Sequence, residues 1–221
     1  VTVLDDPRPV PADGISPMVV ISIPSLKPVV RSASRINSCC ISSIRSAILA
    51  LFFTLTLAAC ATAPPEGLRP VTLFDINRYL GQWYEIARLD HSFERGMSDV
   101  SATYQLQEDG SVKVINRGYD TQRQAWKEAI GRALFIGDSS TASLKVSFFG
   151  PFYGGYHVIA LDQQNYRWSL VAGPDRDYLW ILARDKTLPT EVREQLLSQA
   201  RALGFATDKL IWVEQKRAST S

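Results

Sequence analysis

From residue 83 onward, apolar and polar positions alternate in short runs, each broken by turn-forming residues within eight to twelve positions. That spacing marks an all-β sandwich or barrel. The runs predict strands near residues 83–89, 100–107, 111–119, 126–136, 143–149, 156–161, 166–172 and 178–184. Between them lie turn sequences such as Glu108-Asp109-Gly110, whose glycine can take a positive φ, and the runs G-D-S-S at 137–140 and G-P-D-R-D at 173–177. Residues 90–99 form a longer polar loop that contains Phe93 and Met97, and residues 148–156, F-F-G-P-F-Y-G-G-Y, form an aromatic-rich break. The connections are short, so successive strands should be antiparallel neighbours. After Arg184 the period changes: behind Thr187-Leu188-Pro189-Thr190, the residues Val192, Leu196, Leu197, Ala200 and Leu203 recur at helical spacing until Gly204. Residues 209–215 add a last short strand. The expected fold is all-β, an eight-stranded up-and-down antiparallel barrel with one C-terminal α-helix packed outside. Eight strands can close around one small ligand, and closure removes the exposed edges.

Residues 77–87, N-R-Y-L-G-Q-W-Y-E-I-A, organise the rest. Gly81 leads into Trp83, which suggests a tight turn feeding a strand whose first large side chain plugs the barrel. With an up-and-down order, the start of the first strand, the turn at 162–166 and the end of the eighth strand share one end, so Trp83 and Arg184 should meet there. A guanidinium laid over an indole is worth roughly 0.5–2 kcal/mol, and its remaining donors can satisfy carbonyls of the neighbouring turn. Gly81, Trp83 and Arg184 are thus expected to be structural anchors. The loops at 90–99 and 149–155 fall at the opposite, open end as rim or lid. Counting back by twos from Arg184 turns Leu182, Trp180 and Tyr178 inward. On the other strands the expected lining is Ala87, Tyr104, Val114, Asn116, Ala133, Val146, Phe148, Tyr156 and Val158. On the sixth strand Tyr156, Val158 and Ala160 compete with His157, Ile159 and Leu161 for the inner face. Every one of these positions also suits plain core packing, and the small Ala87 and Ala133 leave space. A cavity so lined is apolar with a few hydroxyl and amide groups, which suits an elongated ligand with a polar head near the mouth, such as a fatty acid or a lysophospholipid.

The front of the chain reads differently. Residues 46–58, S-A-I-L-A-L-F-F-T-L-T-L-A, are uncharged and mostly apolar, with Arg31, Arg35 and Arg45 ahead of them. The run is shorter than the roughly 20 residues of a membrane span and fits the core of a secretory signal. Leu57-Ala58-Ala59-Cys60 looks like a bacterial lipobox, in which the Cys60 thiol receives diacylglycerol before cleavage, and two or more acyl chains give stable anchorage. The expected organisation is a disordered leader or mis-assigned start at 1–44, a lipoprotein signal at 45–59, a lipidated N-terminus and linker at 60–70, a barrel domain at 71–216 and a disordered tail at 217–221. The other cysteines, Cys39 and Cys40, precede the cut, so the mature domain should hold no disulfide, unless Cys60 pairs with one of them in an uncleaved protein. Five of the 24 Lys and Arg and three of the 22 Asp and Glu precede Cys60, leaving 19 of each in the mature part. That balance argues against nucleic acid, which needs a basic face.

Catalytic chemistry is poorly supported. His91 and His157 have no cysteine partner and no metal-ligand spacing, and they read as a solvated loop histidine and a strand histidine. Glu85 is a lone acid near the barrel bottom, and Asp175-Arg176-Asp177 is a charged turn whose Arg176 could meet a phosphate or carboxylate head. No phosphate loop or G-x-S-x-G elbow occurs, and no metal or cofactor is expected.

The stretches W-Y-E-I-A-R, F-E-R-G, V-S-F-F-G-P-F-Y-G-G-Y, V-I-A-L-D and G-P-D-R-D-Y-L-W-I-L, spread over residues 77–215, resemble the bacterial lipocalin lipoprotein group, with Gly81, Trp83 and Arg184 at matching positions. The resemblance implies an eight-stranded calyx, a lipid anchor on the outer membrane facing the periplasm, and binding of fatty acids or lysophospholipids in envelope maintenance under stress. It also implies kinship with apolipoprotein D and plant temperature-induced lipocalins, and it leaves room for a homodimer, since some members dimerise. An enzyme or redox protector on the same barrel is the alternative, and a barrel packed solid would make a purely structural envelope protein.

Overall fold

The computed structural model describes residues 62–217. The expected leader, signal segment and acylated Cys60 lie outside the described residues, as do the last four positions of the tail. A short helix, α1 (Ile76–Tyr79), precedes eight barrel strands: β1 (Gly81–Arg88), β2 (Met97–Leu106), β3 (Val112–Asp120), β4 (Ala125–Phe135), β5 (Ser143–Phe149), β6 (Phe152–Leu161), β7 (Trp168–Ala172) and β8 (Leu179–Ala183). Then come α2 (Thr190–Ala202), a 3-10 turn (Thr207–Lys209) and β9 (Ile211–Trp212). Consecutive barrel strands pair antiparallel, and β1 pairs with both β2 and β8, which closes the sheet. The pairing of β1 with β2 involves only its first half, through Gly81↔Tyr104 to Tyr84↔Ser101. Beyond it β9 takes the vacated edge, with Ala87↔Trp212 and Arg88↔Ile211, so the diverging strand does not expose its backbone.

Local chemistry explains the junction that starts the barrel. The Asp75 carboxylate caps α1 by accepting from the Asn77 amide at 2.9 Å. Gly81 turns the chain into β1 at φ +88°, a conformation that a side chain would strain.

The apolar residues divide into two cores. One fills the lower barrel interior and includes Trp83, Val112, Ala133, Val158, Leu161, Tyr166 and Val171. The other lies between the barrel's outer face and α2, where Leu196 and Ala200 are fully buried against residues that include Ala87, Ile159, Leu170 and Ile181. Leu68, ahead of α1 in the stretch expected as a linker, is part of this outer core.

Two β-bulges decide which side chains face in. In β1 the register slips between Glu85 and Ala87, and the extra residue inverts the alternation. Ala87, expected to line the interior, therefore faces α2. In β6 a slip between Val158 and Ala160 has the same effect, and neither alternating set holds throughout. Tyr156, Val158 and Leu161 belong with the inner core, whereas Ile159 and Ala160 belong with the outer one. Strand β6 also begins earlier than expected, at Phe152, so most of the aromatic break is a hairpin arm whose tip pairs Phe149 with Phe152.

Candidate functional site

The floor of the barrel is built from α1, the start of β1, the β6–β7 turn and the end of β8. Trp83 is fully buried and donates its indole N–H to the Tyr79 carbonyl at 2.8 Å. The Arg184 guanidinium lies 4.0 Å from the Trp83 ring centroid. It donates to the carbonyls of Gln82 and Arg78 at 2.8 Å each and of Tyr166 at 3.3 Å. Above the floor, hydroxyls run in a line: Tyr104 to Tyr156 at 2.8 Å, Tyr156 to Tyr79 at 2.8 Å, and Tyr79 to Ser169 at 3.1 Å. Burial pushes the Tyr79 phenol up to about 12 despite its hydrogen bonds, and holds those of Tyr104 and Tyr156 well above the usual tyrosine range. The line is therefore uncharged.

Over it stands an unfilled cavity of about 310 Å³. The structure puts Tyr104, Val114, Asn116, Val146, Phe148, Tyr156, Tyr178, Trp180 and Leu182 on its wall. Ala133 and Val158 face inward but lie deeper, in the packed lower core, and Ala87 is on the outer face. Alternation failed at Ala87 because a bulge leaves no mark in composition. Val100 and Ala102 also line the cavity, and counting by twos from Tyr104 reaches both.

The loop between β1 and β2 covers one side with Phe93 and Glu94. His91, expected to be solvated, is buried beneath this loop, stacked on Phe93 with ring centroids 3.9 Å apart. Its Nε2 lies 3.0 Å from Glu94 Oε2, which also accepts from the Trp180 indole N–H at 3.1 Å. Arg88 ties the loop to the strand: it donates through Nη1 to Glu85 Oε1 at 2.6 Å and through Nη2 to the Glu94 carbonyl at 2.7 Å. Burial, helped by the neighbouring Glu94 carboxyl, raises the Glu85 carboxyl well above the usual carboxylate range, with Arg88 opposing. Burial would do the same to Glu94, but its hydrogen bonds from His91 and Trp180 and the charge of Arg88 outweigh it, leaving the group lowered. Glu85 is thus neither solvated nor alone. Nothing in the sequence marked Glu94, one acid in a polar loop, as its neighbour.

Two other expectations change. Arg176 does not reach the mouth, because its donors go to the Leu203 carbonyl at 2.9 Å and the Glu66 carbonyl at 2.8 Å. His157 is fully buried on β6, its Nδ1 3.0 Å from Ser143 Oγ. Outside the mouth, a cleft of about 500 Å³ shares Phe93, Glu94, Val100, Asn116 and Phe148 with the inner cavity and runs out to Phe149 and Phe152. Those two side chains are 80% and 79% exposed.

A closed antiparallel barrel with a plugged floor, a filled lower half and an apolar hollow open at the far end is a calyx, a container shaped for a small ligand. Residues 74–215 match the family described as the lipocalin-like domain. The chain is 56% identical over 173 residues to the outer membrane lipoprotein Blc of Citrobacter freundii, covering 78% of this chain and 96% of that protein. It is 46% identical to the protein of the same name from Vibrio cholerae, covering 77% and 99% respectively. Among solved structures, insecticyanin from the tobacco hornworm Manduca sexta is similar with a TM-score of 0.56 and 20% identity, over 69% of this chain and 86% of that one, a likeness of fold. The chain belongs to the lipocalin family.

Proposed function

We propose that this lipocalin binds and carries a single-chain lipid, a fatty acid or a lysophospholipid, while anchored to the outer membrane through an acylated Cys60 with its barrel on the periplasmic side. The observation that carries this reading is the unfilled cavity of about 310 Å³, walled mainly by Val114, Val146, Phe148, Tyr178, Trp180 and Leu182. Removing an alkyl chain from water into such a space stabilises the complex by about 0.8 kcal/mol for each methylene buried. The mouth cleft extends the apolar track outward, so a chain longer than the cavity can continue beneath Phe148 toward Phe149 and Phe152. The names of the relatives support the membrane anchor and the envelope setting. Binding and transport rather than catalysis is the role proposed, with envelope maintenance as its purpose.

The test is native mass spectrometry of the protein purified from its host without delipidation. A bound species with the mass of one acyl chain, with or without a glycerophosphate head, is the expected result. A protein that emerges empty, and that then fails to take up either lipid class when offered, would refute the proposal.

A further inference from the structure

We infer that the base of the calyx is a hydrogen-bonding subsite for a lipid oxygen, with Tyr104 and Tyr156 as its donors. The ligand class it fits is a single-chain lipid whose chain carries a hydroxyl or carbonyl at the end remote from the head. This inference rests on the lipid-carrier reading and asks what the buried end of the ligand carries. Tyr104 and Tyr156 stand on the cavity wall, whereas Tyr79 and Ser169, 2% and 0% exposed, belong to the packed protein beyond it. The four hydroxyls make three hydrogen bonds among themselves, Tyr104 to Tyr156, Tyr156 to Tyr79 and Tyr79 to Ser169. Each brings one proton, so one proton is left over however the row is polarised. On Tyr79 or Ser169 it would be a buried O–H without an acceptor, since neither hydroxyl has another partner among the described residues, and that arrangement is costly. On Tyr104 or Tyr156 it can reach the cavity. The row therefore offers its spare donor to whatever occupies the base of the hollow.

A carbonyl oxygen arriving there accepts that proton and needs nothing more. A hydroxyl also has a proton of its own to place, and the tyrosine oxygens keep lone pairs that can take it. A methyl end leaves the tyrosine O–H unpaired. In a pocket without such a donor, an oxygen on the chain is a burden, because it gives up its hydration for nothing; a site built to bond an oxygen instead favours the ligand that has one. The head need not enter, since the cavity continues past Phe148 into the mouth cleft, where a carboxylate or phosphate stays in contact with water.

The experiment is a fluorescence displacement titration of the purified full chain near neutral pH. The probes are decanoate, dodecanoate and hexadecanoate, each beside its ω-hydroxy counterpart and each below its micellar concentration. In an apolar pocket with no partner for it, the added hydroxyl would weaken binding about tenfold or more. Here at least one ω-hydroxy acid, of the length that brings its oxygen to the tyrosine pair, should bind as tightly as the plain acid or more tightly. Weaker binding of the ω-hydroxy acid at every length would overturn the inference. Changing both donors, Tyr104→Phe with Tyr156→Phe, should weaken that ω-hydroxy acid by about tenfold and leave the plain acid within about threefold. Equal losses for the two, which would put the carboxylate rather than the chain oxygen at the base, would overturn it, as would no loss for either. Should the double variant not fold, the wild-type comparison stands without it. Failure of every probe to bind removes the lipid-carrier reading and this inference with it, while plain acids that bind where no ω-hydroxy acid does remove only the subsite.

Discussion

Replacing Arg184 tests whether the floor is held by one guanidinium. The side chain contributes a stacking contact 4.0 Å from the Trp83 ring and donates to three carbonyls, of Arg78, Gln82 and Tyr166. These belong to the adjoining α1 and β1 and to the β6–β7 turn more than 80 residues further on. The cation–π term is worth about 0.5–2 kcal/mol. Because Arg184 is partly exposed, water replaces some of the lost donors, and each short carbonyl bond is worth about 1 kcal/mol net. Arg184→Ala should therefore destabilise by about 2–4 kcal/mol. Arg184→Lys should lose about 1–2 kcal/mol, since an ammonium cannot lie flat on the ring and reach three divergent carbonyls together. Equilibrium urea unfolding followed by tryptophan fluorescence and by circular dichroism measures both, with a slope of about 2 kcal/mol per molar urea turning the alanine loss into a midpoint shift of about 1–2 M. A double-mutant cycle with Trp83→Leu should return a coupling of about 0.5–2 kcal/mol. An alanine variant within about 0.5 kcal/mol of wild type, the spread of ordinary surface substitutions, would refute the idea that Arg184 joins these segments.

Three further outcomes follow from the same geometry. Tyr178→Arg puts a long, charged side chain into the apolar cavity and should weaken binding of a fluorescent fatty acid by more than tenfold while leaving the far-UV spectrum unchanged, which titration and circular dichroism check together. A Cβ at Gly131 would stand 2.8 Å from the Phe148 ring and 2.9 Å from the Ser147 carbonyl, so Gly131→Ala should cost about 1–3 kcal/mol by overpacking and alter affinity through the displaced Phe148; unchanged unfolding and binding would show that the ring yields freely. Burial holds the His157 imidazole down at about 4, despite the neighbouring Ala63 and Thr62 carbonyls. The unfolded chain takes up its proton below about 6.5 while the folded one does not until about 4, so stability is complete above that window and falls through it, by about 2–3 kcal/mol at its acid end. His157→Gln should remove that part of the slope in urea midpoints measured between neutral and mildly acidic pH, and an identical slope would count against it.

Strand number, order and the meeting of Trp83 with Arg184 were legible because they depend on periodicity and on topology, which short connections constrain tightly. Most of the cavity wall was legible for the same reason: once Arg184 is placed, Leu182, Trp180 and Tyr178 follow by pleat. Ala87 was not, since nothing in I-A-R announces that the chain gains a residue there, and Ile86 packs outside with Ala87 whatever its alternation suggests. On β6 both candidate faces were apolar, and the bulge divides them between two cores, so hydrophobicity could not have resolved the register. The helix α1 was missed because four residues are too few to show a period. Glu94 and His91 escaped for another reason: polar residues in a polar loop look solvated, and only the fold reveals that Arg88 and Trp180 draw the loop inward.

The two ends of the barrel differ physically: one is tied shut by long-range contacts and the other is covered by a loop. At the floor, Arg184 and Trp83 join α1, β1 and the β6–β7 turn, and a packed core that includes Val112, Ala133 and Val158 fills the lower barrel above them. At the mouth, the covering loop is held through Glu94, by the nearby Arg88 and His91 and by Trp180 of β8. Such a loop can move as a unit without unpairing a barrel strand, carrying Phe93 with it and joining the inner cavity to the outer cleft. The Glu94 side chain that latches the loop also lies on the cavity wall, so a movement of the loop reshapes the cavity itself.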